Sequence, residues 1–538
     1  MDFDILIVGS GAGGGMAALR LSEQGFKVGL VERGPRFDPR KDYIMNHPNW
    51  EYRTDPLDYA RLNEQTIDRR YVTNVIHNNK QQRRSSLNYH RVHGVGGSTL
   101  HYQGEAHRFA EHCFHTKSEF GWGADWPINY QDLAPYYQQA EQLLGVAGEL
   151  GNPFKPRREP FPTPAHALSA KSKIMATAAT KAGISLIPNT LALPSTSVDG
   201  RKPCQHSGGC NFGCVFQAKS SIDQAIIPKA EKTGNLSLLT ETRVLSFNLD
   251  DQGEITSVNC INDNDPMQLS AKRYVLAGGA IETPRLMLAS RNQARANGLG
   301  NTHDQVGRYF METVYSFIHF TLDADISTYK GPPLDARVWD YSKPIDALTS
   351  GFVLGLSGYL TPNTGPSNHA KKTPGIGRAH LQSMQQTFGR KINVFGIAEQ
   401  EPMANNRVTL SAKKDKQNQA LVNVHCEYSL RDKHTLNVML DRLRSWVSHA
   451  PNKGTTMVGN TLFRSAATHV GGTCRMGNNA TTSVVDGYGK VHGQRNCYVS
   501  DASVLVTQGA GDSPSLTIQA LALRTADRIS EELKTTAS

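Results

Sequence analysis

Hydrophobic and polar positions fall in blocks along this chain, and the first block is the clearest. Phe3-Asp4-Ile5-Leu6-Ile7-Val8 is a short, almost continuous apolar run, the pattern of a strand buried on both faces. It leads directly into Gly9-Ser10-Gly11-Ala12-Gly13-Gly14. After that turn, Met16 to Gln24 reads as a helix and Lys27 to Val31 as a second strand ending at Glu32. Strand, glycine turn, helix and strand form the opening unit of an α/β sheet. Farther on, Ile392 to Ile397 and Leu421 to Cys426 read as strands inside a mixed stretch, 311–454. A Pro- and aromatic-rich excursion occupies 111–189. No repeat of fixed period interrupts the chain.

A chain of 538 residues is too long for one small core, so two domains or one domain with a large insertion are expected. Apolar residues at 38% and charged residues at 20% exclude a disordered or fibrous protein. No run of about 18 apolar residues occurs, so no membrane-spanning helix is expected. The opening Met1-Asp2-Phe3-Asp4 is acidic where a signal peptide would be basic. The expected compartment is therefore the cytoplasm, or the periplasm for a chain exported with a signal-bearing partner. The net charge of +10 comes from scattered basic residues. The densest cluster, Lys80, Arg83 and Arg84, lacks interleaved aromatics, so no nucleic-acid partner is expected.

The glycine turn gains chemical meaning from its context. A GxGxxG between a buried strand and a helix, with an acid 18 residues beyond the last glycine, reads as a dinucleotide site. Gly9 permits the turn, Gly11 lets backbone N–H groups approach a pyrophosphate, and Gly14 lets the helix pack on the strand. The helix N-terminus then faces the phosphates, and Glu32 can accept hydrogen bonds from a ribose diol. The fingerprint alone does not choose between NAD and FAD.

Four later segments do choose. Arg91-Val92-His93-Gly94-Val95-Gly96-Gly97-Ser98-Thr99-Leu100-His101 resembles the second FAD-binding segment of the glucose–methanol–choline oxidoreductase family. Gly278-Gly279-Ala280-Ile281-Glu282-Thr283-Pro284-Arg285-Leu286 is similar to that family's second signature. His469-Val470-Gly471-Gly472-Thr473-Cys474-Arg475-Met476-Gly477 resembles its active-site segment, and Asn496-Cys497-Tyr498-Val499-Ser500-Asp501-Ala502-Ser503 the strand that closes on the flavin. With the nucleotide motif, the segments stand in family order over almost the whole chain. The strongest likeness is to flavoprotein subunits of bacterial sugar dehydrogenases, which act on gluconate, glucose, fructose or glucosides.

The resemblance implies an α/β fold: an FAD-binding Rossmann-like domain with an inserted substrate domain built on an antiparallel sheet. The expected FAD domain comprises 1–110, 190–310 and 455–538, and the substrate domain 111–189 and 311–454. Gly96 and Gly97 allow close approach of backbone to the cofactor, and Ser98 and Thr99 can bond phosphate or flavin edge atoms. Asp501 can accept from ribityl hydroxyls or from backbone N–H groups. Arg33, Val244, Gly279 and Ala502 are the remaining cofactor contacts that the resemblance implies. His101 stands where several family members bond a histidine to the flavin 8-methyl carbon, so a covalent link is expected there.

Oxidising an alcohol removes a hydroxyl proton as hydride moves to flavin N5, and a neutral imidazole suits the first task. The family's base in its HxxGT segment corresponds to His469. The second catalytic position, a His or Asn in the family, is Ser513 here, within Gly511-Asp512-Ser513-Pro514-Ser515. Serine reaches less far than an amide or imidazole. Either Ser513 positions the substrate hydroxyl with help from a water, or Asp512 or another residue takes over.

Of the eight cysteines, Cys204, Cys210 and Cys214 stand in C-x5-C-x3-C spacing on a glycine-rich loop. Such thiolates can hold a three-iron cluster, and the resembled sugar dehydrogenases place a 3Fe-4S cluster at matching cysteines. Structural thiols are the alternative, as is zinc with His206 as fourth ligand. The expected function is an FAD-dependent dehydrogenase acting on a sugar, glycoside or polyol. Its electrons would pass to an Fe–S cluster or an external acceptor, with a small subunit and a cytochrome or quinone as partners. An oxidase using oxygen is the first alternative, and a flavin-dependent lyase or a non-catalytic subunit comes after it.

Overall fold

The computed structural model describes residues 1–43, 72–76, 92–358, 369–370, 373–460 and 469–537. Arg91 and the basic cluster Lys80, Arg83 and Arg84 lie outside the described residues.

The opening apolar run forms β1 (Phe3–Val8) and the run before Glu32 forms β2 (Val28–Val31), with α1 (Ala12–Glu23) between them. Three later strands join them: β4 (Leu236–Leu239), β5 (Ala271–Leu276) and β11 (Cys497–Val499). The sheet order is β11-β5-β1-β2-β4, and every pairing is parallel. Ile5, Leu6 and Ile7 are completely buried at its centre. A parallel sheet is covered on both faces, which is why β1 reads as a continuous run and not as an alternation. Two further helices, α2 (Tyr130–Leu144) and α6 (Ser515–Ala537), belong to this layer. α6 packs against both α1 and α2. Arg20 on α1 pairs with Asp527 on α6 through two hydrogen bonds of 2.7 and 3.0 Å.

A second sheet lies in the middle of the chain. It contains β3 (Ile187–Pro188), β6 (Thr313–Leu322), β7 (Ala336–Val338), β8 (Phe352–Gly358), β9 (Lys391–Glu399) and β10 (Asn452–Asn460). Its order is β10-β6-β9-β8-β7-β3, antiparallel throughout. The expected strand Ile392 to Ile397 falls within β9. Leu421 to Cys426 overlaps a strand, Ala420–His425, of a different, three-stranded sheet.

Side chains alternate between the two faces of a strand, and here the two faces differ in chemistry. Ile318, Phe320, Leu354, Leu356, Ile392 and Val394 share a core with α3 (Ala170–Lys181) and α5 (Leu430–Ser448). Trp446 of α5 donates its indole N–H to the Met175 carbonyl of α3 at 3.0 Å. The odd positions on the opposite face are aromatic: Tyr315, Phe317 and Phe395 cluster with Val353, Ile397 and Trp339. Arg337 shares that face. Its guanidinium lies 4.6 Å from the centre of the Phe395 ring. A Cβ at Gly355 would stand 2.4 Å from Arg337 Nη1, so only glycine leaves room for the arginine there.

Candidate active site

The nucleotide cradle follows from three close approaches. Gly9 adopts φ 102°, and a Cβ on it would meet the Ala277 carbonyl at 2.5 Å. A Cβ at Gly14 would lie 1.9 Å from the Gly9 carbonyl, so the helix rests directly on the strand end. Gly11 is the reverse case: nothing stands within 4 Å of where its Cβ would point. Gly11 is the N-cap of α1, with no side-chain cap, and the first turn carries no acid. The helix therefore presents unsatisfied N–H groups and a partial positive charge to open space. Gly97, at φ 52°, comes against the same point, where its Cβ would be 2.9 Å from the Gly11 Cα. This set of donors around an open glycine suits a pyrophosphate.

The acid at the end of β2 is drawn inward. Glu32 Oε2 accepts from the Ser10 N–H (3.1 Å) and hydroxyl (2.6 Å), and Oε1 accepts from Gly34 N–H (2.9 Å) and Gly94 N–H (3.2 Å). Burial pushes its carboxyl upward against those four donors. Glu32 thus ties the glycine turn to the Gly94–Gly97 segment. Arg33 lies 3.3 Å from His93 through Nη1 and Nε2. Ser98 is exposed, whereas Thr99 is spent inside the protein: it donates to the Gly96 carbonyl (2.6 Å) and accepts from Ile222 N–H (3.0 Å).

Asp501, just past β11, spends its carboxylate on the protein. It accepts from Gly279 N–H (2.9 Å), the Thr283 hydroxyl (2.5 Å) and Ser503 N–H (2.8 Å). These bonds fix β11 to α4 (Gly279–Ala289). Gly279 itself has φ 83° and open space where a Cβ would be. Ala502 is half-buried beside Asp501. Val244 is a buried position on the strand Thr242–Leu249.

A residue that sequence reasoning did not single out, His107, takes a hydrogen bond from Ser513 and lies within electrostatic reach of His469. Burial holds the His469 imidazole down at about 4, so the ring is neutral near pH 7; Glu105 raises its proton affinity, and Arg337 and His107 lower it. Its Nδ1 is buried with no hydrogen-bond partner among the described residues. Gln508 Nε2 donates to the His469 carbonyl at 2.6 Å, fixing the backbone that carries the ring.

Ser513 is buried, and its N–H lies 3.1 Å from His107 Nδ1. The other face of His107 meets Asn189 Oδ1 through Nε2 at 2.8 Å. Asn189 spends its own N–H groups on Glu105 (2.8 Å) and the Leu334 carbonyl (2.9 Å), so Nε2 of His107 carries a proton. Glu105 accepts both arms of Arg337 at 2.6 and 2.7 Å. Asp512 accepts from the Trp339 indole at 2.9 Å and pairs with Lys155, and its Oδ1 lies 3.1 Å from His107 Nδ1. The Lys155 ammonium beside it holds the Asp512 carboxyl far below the usual range against its burial. Asp512 is therefore an anchored anion.

His101 lies in the third part of the site. Its Nδ1 is 2.7 Å from the Asn211 carbonyl, in the loop that carries the three cysteines. A carbonyl only accepts, so His101 donates from Nδ1. Here the structure departs from the expected metal centre. Among the described residues no group of three His, Cys, Asp or Glu is placed to hold a metal ion. Cys210 is buried and its thiol is pushed up to about 12; burial also raises Cys204. His206 turns instead toward His166, 3.2 Å away. Cys204 and Cys214 both lie within electrostatic reach of the Cys210 thiol.

The sequence signal for the missed residues was faint. Glu105 and His107 alternate in an extended segment just after the Gly96–Gly97 motif, which puts both side chains on one side. Their partners Asn189 and Arg337 lie far along the chain, and nothing local marks them.

Known proteins match this chain as follows. Family models described as GMC oxidoreductase match residues 90–312 and 402–522, and one described as an FAD binding domain matches 4–39. The 6'''-hydroxyparomomycin C oxidase of Streptomyces lividus is 28% identical, with 99% of this chain and 92% of that protein covered. The fructose dehydrogenase large subunit of Gluconobacter japonicus is 26% identical, with 99% and 98% covered. Among solved structures, pyridoxine 4-oxidase from Mesorbium loti superposes with TM-score 0.67 at 18% identity, over 98% of both chains.

Proposed function

We propose a specific reaction for this chain, which belongs to the GMC oxidoreductase family: dehydrogenation of a CH–OH group of a sugar, glycoside or polyol, with His469 as base. Membership and the FAD-binding domain make the chain an FAD-dependent oxidoreductase acting on alcohol- or sugar-type substrates. In this reading 1–110, 190–310 and 455–538 hold the cofactor, and 111–189 with 311–454 build the substrate side.

FAD, when bound, supplies the hydride acceptor at flavin N5. Gly9, Gly11, Gly14, Gly96, Gly97 and Ser98 would cradle it, with Glu32 and Arg33 at the nucleotide end. His101, Val244, Gly279 and Ala502 complete the contact, and Asp501, its carboxylate spent on Gly279, Thr283 and Ser503, supports it through backbone as Thr99 does. The reading includes a bond between His101 and the flavin 8-methyl carbon, so acid-precipitated protein is expected to keep its yellow colour.

The observation that carries the chemistry is the neutral His469 with its unpartnered buried ring nitrogen. A neutral imidazole takes the substrate's hydroxyl proton as the C–H hydride departs. Burial makes the resulting imidazolium costly. The hydroxyl of Ser513, whose backbone His107 and Asp512 fix, orients the substrate oxygen. The aromatic face of the antiparallel sheet offers rings on which a sugar's C–H faces can stack. Electrons then leave to an external acceptor, a cytochrome or quinone reached through a partner subunit.

The test is anaerobic stopped-flow bleaching of the bound flavin by a panel of sugars and polyols. Wild-type enzyme is expected to bleach with at least one of them, and His469→Ala about 10²- to 10⁴-fold more slowly. Equal rates in the two would refute the assignment. Rapid peroxide formation under air would refute the dehydrogenase reading in favour of an oxidase.

A further inference from the structure

A buried lysine beside the site has no part in the chemistry just described. Lys219 is 1% exposed, and its ammonium sits among carbonyls. It donates to the carbonyls of Cys210 (2.7 Å), Leu100 (2.8 Å) and Tyr102 (3.2 Å). An ammonium has three donors, and these three acceptors use them all. The chain's choice of a charge here is costly, because burial disfavours the ammonium. A methionine of similar length would fill the same space without that cost.

The positions of the three carbonyls give the lysine its purpose. Leu100 and Tyr102 flank His101 on both sides. Cys210 immediately precedes Asn211, whose carbonyl takes the His101 Nδ1–H at 2.7 Å. One cation therefore grips the backbone that carries the imidazole and the backbone that receives it. The Tyr102 ring, 5.3 Å from the ammonium, and its hydroxyl, which donates to the Ser220 carbonyl at 2.7 Å, brace the same junction. With Nδ1–H committed to Asn211, the lone pair of the neutral ring is on Nε2.

We propose that Lys219 is a positioning residue for His101, presetting the orientation and tautomer of the imidazole that meets the flavin. The proposal rests on the reading that His101 faces the cofactor. It assigns the cysteine loop a role as a backing plate for that histidine, independent of any metal.

The experiment uses FAD-loaded wild type, His101→Ala, Lys219→Met and the double variant, reading the flavin's visible spectrum and its midpoint potential. Lys229→Met serves as control, since Lys229 pairs with Asp199 at the surface. Lys219→Met is expected to shift spectrum and potential in the same direction as His101→Ala, and the double variant no further than His101→Ala alone. Full additivity would overturn the proposal, because it would mean that the lysine acts on the flavin by its charge and not through the histidine. So would a Lys219→Met protein that loses thermal stability while its flavin stays like wild type. A silent His101→Ala would instead overturn the placement of His101 at the cofactor, and this proposal with it. Lys219→Arg, which keeps the cation but alters the donor geometry, serves where Lys219→Met does not fold. A smaller shift of the same sign supports the proposal, and none overturns it.

Discussion

The pH dependence of substrate oxidation offers the sharpest check on His469. The perturbation is protonation of the base, which needs no mutation. Burial lowers the imidazole to about 4, against about 6.5 for an unperturbed histidine. The active form is the neutral one, so kcat/KM should stay level as pH falls from 8 through 6 and decline only toward the lower value. At pH 5 a ring titrating at about 4 is roughly 90% neutral, whereas one titrating at about 6.5 is roughly 3% neutral. The two cases differ about 30-fold in kcat/KM at that single pH. The assay is dye reduction at limiting substrate from pH 4 to 8, with bound flavin followed by absorbance at each pH. An acidic limb centred near 6.5, with flavin still bound, would show that His469 is solvated or is not the base. The same shift has a stability signature. The folded state resists a proton that the unfolded state takes up below about 6.5, so this residue's contribution is full above that pH and is lost as pH falls toward 4.

Four further outcomes are expected. Glu105→Gln leaves the buried Arg337 without its counter-charge and should lower unfolding stability by about 3–5 kcal/mol in denaturant titration; a loss under about 1 kcal/mol would contradict the buried-pair reading. Gly11→Ala meets no protein atom, so the apoprotein should melt as wild type while FAD affinity falls at least about tenfold. Gly14→Ala, by contrast, drives a methyl into the Gly9 carbonyl and should prevent folding, so a soluble Gly14→Ala protein with normal melting would show that the helix–strand contact is misplaced. Burial raises Glu399 to about 7 from about 4.3 unfolded, so its stabilising proton is present at low pH and lost as pH rises through 7; Glu399→Gln should flatten that part of the stability profile.

The parts of the site that were legible in the sequence are those made by neighbours along the chain. Gly9, Gly11 and Gly14 could be read because turn, helix and strand follow one another within 32 residues. Asp501 was readable only as an acceptor, since hydroxyls and backbone N–H groups look alike from its side of the bond; in the fold it meets the N–H groups of Gly279 and Ser503. The group of Glu105, His107, Asn189 and Arg337 joins three distant segments and has no local pattern. Arg337 was hidden further, because in β7 it is one charged residue between Ala336 and Val338, and its environment comes from Gly355 and Phe395 on other strands and from the distant Glu105. The cysteines show the opposite limit: their spacing suggests a ligand set, and no metal site is shown at them among the described residues. Spacing measures distance along a loop, but a ligand set needs convergent directions, and those depend on turns such as the one at Gly213, with φ 87°.

The order of strands in the parallel sheet also bears on how this protein is made. β1 pairs with β5, some 270 residues later, and β5 with β11, which begins at residue 497. The Ser500 carbonyl lies where a Cβ of Gly13 would sit, and α6 covers α1. During synthesis the glycine turn emerges first but lacks its walls until the last segments have left the ribosome. The nucleotide cradle is thus a late product of translation, formed by closing a very long loop, and β1 lacks one of its two neighbouring strands until about half the chain has been made.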